Sequence, residues 1–592
     1  MGFSVYGTSH FLSIFKNNFT CIQHLDSADI DKSIRFENIS WVTYFLLAAP
    51  SIRVVLANKT VFHDKDLLMK AKYVVPKHIR FLLLGLYILV TSHAYSSAIT
   101  QPINTAQCIL INQVHLVNSQ RLTKVEPRRI NAWRQQIEGQ CVDDRKLLEY
   151  ADYITADLVR AGYLTSYLYY PEQTFLFGIL RIKIVEGTIS AVSYQNEKNK
   201  DRSLLSIFPL KPGDLLNLRH IEQGLSNLQN VSLLPFHINL VPDDVDKNAT
   251  QVIVVGQQRR ALNGVISYEA HRAAGQTTNV ISHIWMLANP LLRSDFLYSE
   301  VNHHLNAFNG SEMKSMVLLY SLPYHYWLFS VSAEYHKNQV VITNYDVNLP
   351  FQQRSWGLLL QIERILNRTE NAVTSFGIGS QVQKSDTFLS DLRLQTQKRL
   401  ASYAIAEFSH QVDFLKGNTL VSLKYKQGVD WFGANAQKTT GLDKAQIFQF
   451  SLSNLREIQP FYYLSQLDVQ LSRSNLDALL ERDTFIGNGG VSGFLTGVKH
   501  FEMGDHSLKF HNELRWQTPW PHVQLYSSLG LGTTANDRAT FWKENLLLGC
   551  KIGAKGQLKG LSYHLFIDTP LWQSQPLAFN TVSSGIKFSF HY

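Results

Sequence analysis

From Leu262 to the terminal Tyr592 the chain has no apolar run of eighteen residues and no sustained helical periodicity, yet short stretches alternating apolar and polar side chains recur throughout. Asn263–Tyr268, Ser355–Ile365, Asn418–Tyr425 and Phe448–Leu455 are examples, separated by Gly, Asn, Asp and Ser. A period of two places alternate side chains on opposite faces of an extended strand. A soluble sandwich would give the same period. The chain end decides: in Gly585–Tyr592, Ile586, Phe588, Phe590 and Tyr592 share one face, leaving Lys587, Ser589 and His591 on the other. Large aromatics on the outward face of a closing strand suit the girdle where a barrel meets a membrane interface. Roughly 330 residues at about ten per strand, with short turns at one end and long loops at the other, give a membrane β-barrel of about sixteen antiparallel strands. Residues 258–592 are assigned to it.

Composition fits a wall with lipid on one side and water on the other. Hydrophobic residues make up 45% and aromatics 12%, but charged residues only 17%, a low charge without a strongly apolar mean. The net charge of +9 invites a nucleic-acid partner. Ten Lys and Arg against six Asp and Glu before Ala98 supply +4 of it, however, and no basic run interleaved with aromatics occurs, so nucleic acid is excluded. Cys21, Cys108, Cys141 and Cys550 lack the close spacing of a zinc or redox site, and no metal or cofactor is expected. In an exported chain Cys108 and Cys141, which share one small segment, are the natural disulfide.

Met69–Ala98 has the three parts of a secretory signal peptide: Lys70, Lys72, Lys77 and Arg80, an apolar core from Phe81 to Val90, and the small residues Ser96 and Ala98. The core is too short to span a bilayer as a helix. Cleavage after Ala98 starts the mature chain at Ile99. Met69 is then the expected initiator and residues 1–68 an upstream extension outside the mature protein. A rival membrane anchor at Ile39–Ala57 is interrupted by Pro50 and Arg53.

Between leader and barrel the pattern is mixed α/β. Asp144–Ala161 reads as a helix with Leu147, Leu148, Ala151, Ile154, Leu158 and Ala161 on one face, closed by Gly162. Phe177–Val185 reads as a half-buried strand carrying Ile179, Ile182 and Ile184. The unit repeats as a helix at Leu218–Leu228, with Leu218, Ile221, Leu225 and Leu228 on one side, then strands at Phe236–Val241 and Gln251–Gly256. These are two small helix-on-sheet domains, residues 99–187 and 188–257.

Gly162–Gly187 and Gly213–Asp244 resemble the polypeptide-transport-associated (POTRA) domains of the two-partner secretion transporters, the family of the filamentous haemagglutinin and haemolysin exporters. Leu546–Leu577 resembles its late strands, and its members carry a cysteine pair placed like Cys108 and Cys141. The resemblance implies a barrel in the outer membrane of a Gram-negative bacterium with its POTRA domains in the periplasm. It implies a large unfolded partner exoprotein, an adhesin, haemolysin or contact-dependent toxin, bound in the periplasm and exported without ATP. Outer-membrane lipid and the barrel-assembly machinery, reading a closing strand with Phe588, Phe590 and Tyr592, are the other implied partners. The alternative within the same superfamily is an outer-membrane protein assembly and insertion factor.

Members of that family fold a long loop into the lumen, tipped by Val-Arg-Gly-Phe or Val-Arg-Gly-Tyr after a glycine-rich turn. The matching loop is placed at 483–500, with Gly487, Gly489, Gly490, Val491, Ser492, Gly493 and Phe494 as the motif. Ser492 stands at the arginine position. The wall motif, aromatic-x-Asp-x-Gly, is matched by Tyr526, Ser528 and Gly530, with Ser528 at the aspartate position. Both ends of the implied ion pair are therefore changed together, which leaves no lone charge in the lumen. Ser492 is expected to face Ser528 and the loop to be less firmly anchored. Some relatives plug the pore with an amino-terminal helix, but Ile99–Cys108 is too short for a helix and linker. No phosphate-binding glycine loop, Gly-x-Ser-x-Gly elbow or His-Glu-x-x-His occurs, so no enzyme is expected. His303, His304 and His325 read as ordinary surface or lumen histidines.

Overall fold

The computed structural model describes the backbone of Ile52–Val54 and residues 108–592, apart from 196–201, 232–235, 257–260, 274–275, 308–310, 345–346, 415, 435–443, 478–479, 485–490, 492–502, 538, 540–545 and 575–581. The leader with its cleavage position Ala98, and residues 99–107 ahead of the first small domain, lie outside the described residues.

In the first small domain, strand Ile179–Val185 pairs in parallel with Gln113–Val117 and antiparallel with Tyr167–Tyr169. Helices Pro127–Ile137 and Asp144–Arg160 pack on this sheet. Pro127 supplies a fixed φ at the first helical turn, where no hydrogen bond is lost. The Asp143 carboxylate caps the second helix by accepting from the Lys146 amide at 2.9 Å. Ile130, Trp133 and Ile137 meet Tyr150, Ile154 and Leu158 and the strand residues Leu180, Ile182 and Ile184 in one core.

The expected helix face is turned slightly. Leu148 is 66% exposed, and Tyr150 is buried instead. Its hydroxyl donates to the Trp133 carbonyl at 2.7 Å, and a tyrosine whose hydroxyl is satisfied packs as a large hydrophobe. The expected strand also starts later: Phe177 is exposed with φ 62°, and Leu180 rather than Ile179 faces the core. The Cys108–Cys141 disulfide ties together the short paired strands Ile109–Leu110 and Cys141–Val142.

The second domain has strand Ala249–Val255 between Thr188–Tyr194 and His237–Pro242, and Ile52–Val54 lies parallel beside the last of these. Ile207, Phe208, Ile221, Leu225 and Leu228, most of them from helices Arg202–Ile207 and Leu218–Val231, form its core against Val192, Ile238, Val252 and Val254. The Phe208 ring lies directly against Gly224, a place where any side chain would collide. Asn217 caps the longer helix, accepting from the Arg219 amide at 2.8 Å, and donates across the junction to the Ala161 carbonyl at 3.2 Å. Leu215 enters the first domain's core. The two domains are thus joined by buried contacts rather than by a free linker.

Sixteen long strands follow. In chain order they are β1 (Ala261–Ala273), β2 (Gln276–Ala288), β3 (Phe296–Ala307), β4 (Ser311–Tyr324), β5 (Trp327–Asn344), β6 (Val347–Arg368), β7 (Ala372–Leu389), β8 (Arg399–Phe414), β9 (Gly417–Val429), β10 (Gln446–Ile458), β11 (Phe461–Ser472), β12 (His506–Gln517), β13 (Gln524–Ala535), β14 (Leu547–Leu558), β15 (Leu561–Gln573) and β16 (Ser583–His591). Each pairs antiparallel with the next, and β16 returns to β1 with Val265 opposite His591 and Ala273 opposite Ser583. Tyr268, Trp356, Leu360, Ile378 and Phe448 point outward, and Ser355, Gln361, Gln383 and Lys424 are buried on the inner side. Phe588, Phe590 and Tyr592 are exposed on the outer face, while Lys587 reaches inward to Glu269 at 3.5 Å. Tyr592 extends the last ladder: its amide and carbonyl both bond to Gly264 at 3.0 Å, and its ring covers that glycine.

Because the Cys108–Cys141 bond closes a loop of 33 residues, Cys108→Ser with Cys141→Ser should lower first-domain stability. The chain-entropy model puts the loss at about 3–4 kcal/mol. Denaturant unfolding of the full chain, followed by tryptophan fluorescence, measures it, and a transition unmoved by the double substitution would refute the assignment.

Candidate functional site

The candidate site is the lumen, with a segment packed on its inner wall and a docked domain beneath it. The inner wall carries charges of both signs, already paired. Glu407 meets Lys424 at 3.2 Å and accepts from Ser422 at 3.0 Å. Asp468 accepts from Ser451 at 2.7 Å, Glu513 takes Lys555 at 3.0 Å and also Arg515, and Asp568 faces Lys551 at 3.7 Å. A corridor of paired charges holds no single ligand but keeps the lumen wet and tolerant of varied side chains. No cluster of His, Cys, Asp and Glu suited to a metal occurs among the described residues.

One patch of this inner wall is apolar: Leu359, Ala401, Tyr403, Ile405, Ala445 and Ile447, at β6, β8 and the head of β10. Leu476 and Leu480 cover it. They belong to the segment that leaves β11 after Ser472 and re-enters the wall only at His506. Its first described residues form a stem, held largely by side chains. Arg399 Nε donates to Asp477 Oδ2 at 2.7 Å, with the two side chains 11% and 7% exposed. Tyr403 donates to Glu481 Oε1 at 2.8 Å, and Glu481 Oε2 accepts the Asp477 amide at 2.9 Å. Further along, Arg482 meets Asp505 at 2.8 Å and Lys509 meets Asp483 at 3.0 Å, and Asp483–Thr484 pairs with Met503–Gly504. Full burial of a leucine contributes about 1.5–3 kcal/mol, so the two leucines alone give the stem a real seat.

Of the tip residues singled out from sequence, Val491 is described and buried at 3% exposure. Gly487, Gly489, Gly490, Ser492, Gly493 and Phe494 lie outside the described residues. Tyr526, Ser528 and Gly530 share the inner face of β13, as their two-residue spacing requires. Tyr526 hydrogen-bonds His564 Nε2 at 2.6 Å. Ser528 is 3% exposed, and its hydroxyl has no partner among the described residues. Glu513 and Lys551 sit opposite it on the neighbouring strands. Cys550 is a half-exposed lone thiol on β14.

At the periplasmic end, sequence reading missed a set of contacts. The turn between β4 and β5 puts His325 at φ 53° and inserts it beneath helix Leu218–Val231. Its amide donates to the Ser206 carbonyl at 3.0 Å, and its carbonyl accepts from Asn227 Nδ2 at 2.8 Å. Beside it His220 Nδ1 and the Tyr326 hydroxyl are 2.5 Å apart, and Arg368, ending β6, donates to Gln223 at 3.0 Å. His325 is thus neither a lumen nor a free surface histidine. Its main chain does the binding, so its side-chain type gave no signal; the nearest clue was a polar row, His220, Gln223 and Asn227, on an otherwise amphipathic helix. Burial holds the His220 ring below its usual pKa, partly opposed by Asp214.

The docked form therefore binds fewer protons at His220 than the undocked form. Docking should be at full strength above about pH 6.5, the ordinary histidine value, and weaken as pH falls below it. Asn227→Ala should cost about 1–2 kcal/mol of the same docking by orphaning its partners. Hydrogen exchange of Leu218–Val231 reads both effects; equal protection at pH 7.5 and 5.5, or in the variant, would remove the junction from the account.

Three comparisons bear on this geometry. A family model described as haemolysin secretion/activation protein ShlB/FhaC/HecB matches residues 248–556, a ShlB-type POTRA model matches 109–187, and a second POTRA model matches 188–242. The chain is 24% identical to the outer membrane transporter CdiB-2 of Burkholderia pseudomallei strain 1026b over 476 residues, 77% of this chain and 79% of that protein. It is 24% identical to the outer membrane transporter CdiB of Escherichia coli O6:K15:H31, covering 75% and 76%. The solved structure of CdiB from Acinetobacter baumannii superposes with a TM-score of 0.74 at 19% identity, covering 87% of this chain and 98% of that one.

Proposed function

Since this chain belongs to the haemolysin secretion/activation protein family ShlB/FhaC/HecB, we propose that it is the outer-membrane translocator of a two-partner secretion system. In this reading it takes an unfolded exoprotein in the periplasm and passes it through its barrel to the cell exterior. The observation that carries the reading is the combination of a closed barrel with a polar lumen, a loop folded into that lumen, and POTRA domains latched beneath its periplasmic rim. A passive porin has no use for the docked domains. An assembly factor of the same superfamily shares the layout, but the family model that matches is that of the secretion proteins.

The client is a large secreted partner of adhesin, haemolysin or contact-dependent toxin type. It docks by adding a strand to an open sheet edge, for which Tyr167–Tyr169 is available, because backbone hydrogen bonds bind without demanding one sequence. Ile52–Val54 already lies parallel beside His237–Pro242, which supports the capacity of these small sheets to take an added strand. Export needs no nucleotide and no enzymatic step; folding of the client outside the cell supplies the direction. The outward Phe588, Phe590 and Tyr592 serve as the closing-strand signal for the barrel-assembly machinery and contact outer-membrane lipid. Cleavage after Ala98 releases the mature chain.

At the loop tip, Ser492 faces Ser528, whose buried hydroxyl, without a partner among the described residues, supports that reading. A hydroxyl pair holds the tip less firmly than an ion pair. Ser492→Arg with Ser528→Asp should therefore quieten channel current in planar bilayers; unchanged conductance and noise would count against the pairing. The export reading expects a large open reading frame beside this chain's gene, and cells carrying both should release its product to the medium. Retention of the product in the periplasm despite a folded, membrane-inserted barrel would sink it.

A further inference from the structure

An apolar patch on the wall of a water-filled lumen is unfavourable unless something covers it. Here the cover comes from within the chain, and the patch and its cover are bordered by a charge pair almost removed from water, Arg399 with Asp477. The stem crosses the inner face from β11 as far as β8 and β6 to reach this seat. The position at which the family resemblance implies a wall aspartate for holding the tip carries Ser528 instead. We propose that this chain holds its lumenal loop by the stem, through Arg399–Asp477, Tyr403–Glu481 and the seated Leu476 and Leu480, and that Arg399 and Tyr403 are positioning residues for opening the channel.

The inference rests on the transport reading and specifies how its pore is kept shut. Opening must lift Leu476 and Leu480 off the patch and separate Arg399 from Asp477 in one event, because Asp477 and Glu481 are tied to each other through the Asp477 amide. A half-lifted stem leaves a charge buried without its partner, which is costlier than either end state. Lys426, whose ammonium lies over the Tyr403 ring at 4.4 Å, holds that ring in place from β9. Such an arrangement is two-state, shut or clear, and a passing extended chain would have to displace the stem as a unit.

The test records current through the purified full chain in planar bilayers, without client. Arg399→Ala and Asp477→Ala should each raise open probability by about tenfold or more, the change expected from losing roughly 1.4 kcal/mol of closed-state preference. The exchange Arg399→Asp with Asp477→Arg should return it towards the parent value. Leu480→Asp should open the channel while leaving both polar contacts of the stem chemically intact. Heat-modifiable migration checks that each barrel has folded. Folded single variants as quiet as the parent would overturn the proposal, as would an exchange variant that leaks as much as the singles, or a quiet Leu480→Asp channel. Secretion by the parent chain is scored separately: its absence alongside the expected current changes would count against the transport reading and leave the stem latch standing.

Discussion

A backbone hydrogen-bond donor or acceptor left unpaired in hydrocarbon costs several kcal/mol, and a sheet that crosses a membrane can avoid that only by closing on itself. The pairing of β16 with β1 is that closure. The last strand must lie flush against the first, so Tyr592 spends both main-chain groups on Gly264, and its ring needs the bare surface that only glycine leaves there. Outward aromatics and inward Lys587 then follow from the pleat.

Closure also creates an inside, and its chemistry is asymmetric. The short periplasmic turns form a rim against which the second POTRA domain can rest, and the His325 turn makes use of this by offering main-chain groups to Ser206 and Asn227. At the other end, the segment that leaves β11 places Leu476 and Leu480 against the inner wall. Docking domain and loop are therefore attached to opposite ends of one rigid cylinder. A signal between them would have to travel through the wall or through the cargo itself.

Much of this architecture was legible before any coordinates. The two-residue alternation and the terminal Gly585–Tyr592 pattern led to the barrel and to the outward set Phe588, Phe590 and Tyr592, because burial in a wall one residue thick is decided strand by strand. The helix at Leu218–Val231 was visible for the same kind of reason, through Ile221, Leu225 and Leu228. Tyr150 replacing Leu148 in the core was not visible, since it depends on the Trp133 carbonyl arriving from another helix. The stem was missed too. On β8 the run Ala401, Tyr403, Ile405 looks like one more outward face, and only the parity of the strand in the closed barrel turns it inward.

The sequence by itself determined features that depend on neighbours along the chain: the strand period, and the serines standing where the resemblance implies charge. Tertiary structure alone decided which wall patch the stem covers, that Arg399 finds Asp477 78 residues away, and that His325 docks through its backbone. The physical reason is common to all three. Each joins groups brought together by barrel closure or domain docking, and a contact made across space by a carbonyl or a distant carboxylate leaves no periodicity in the chain that carries it.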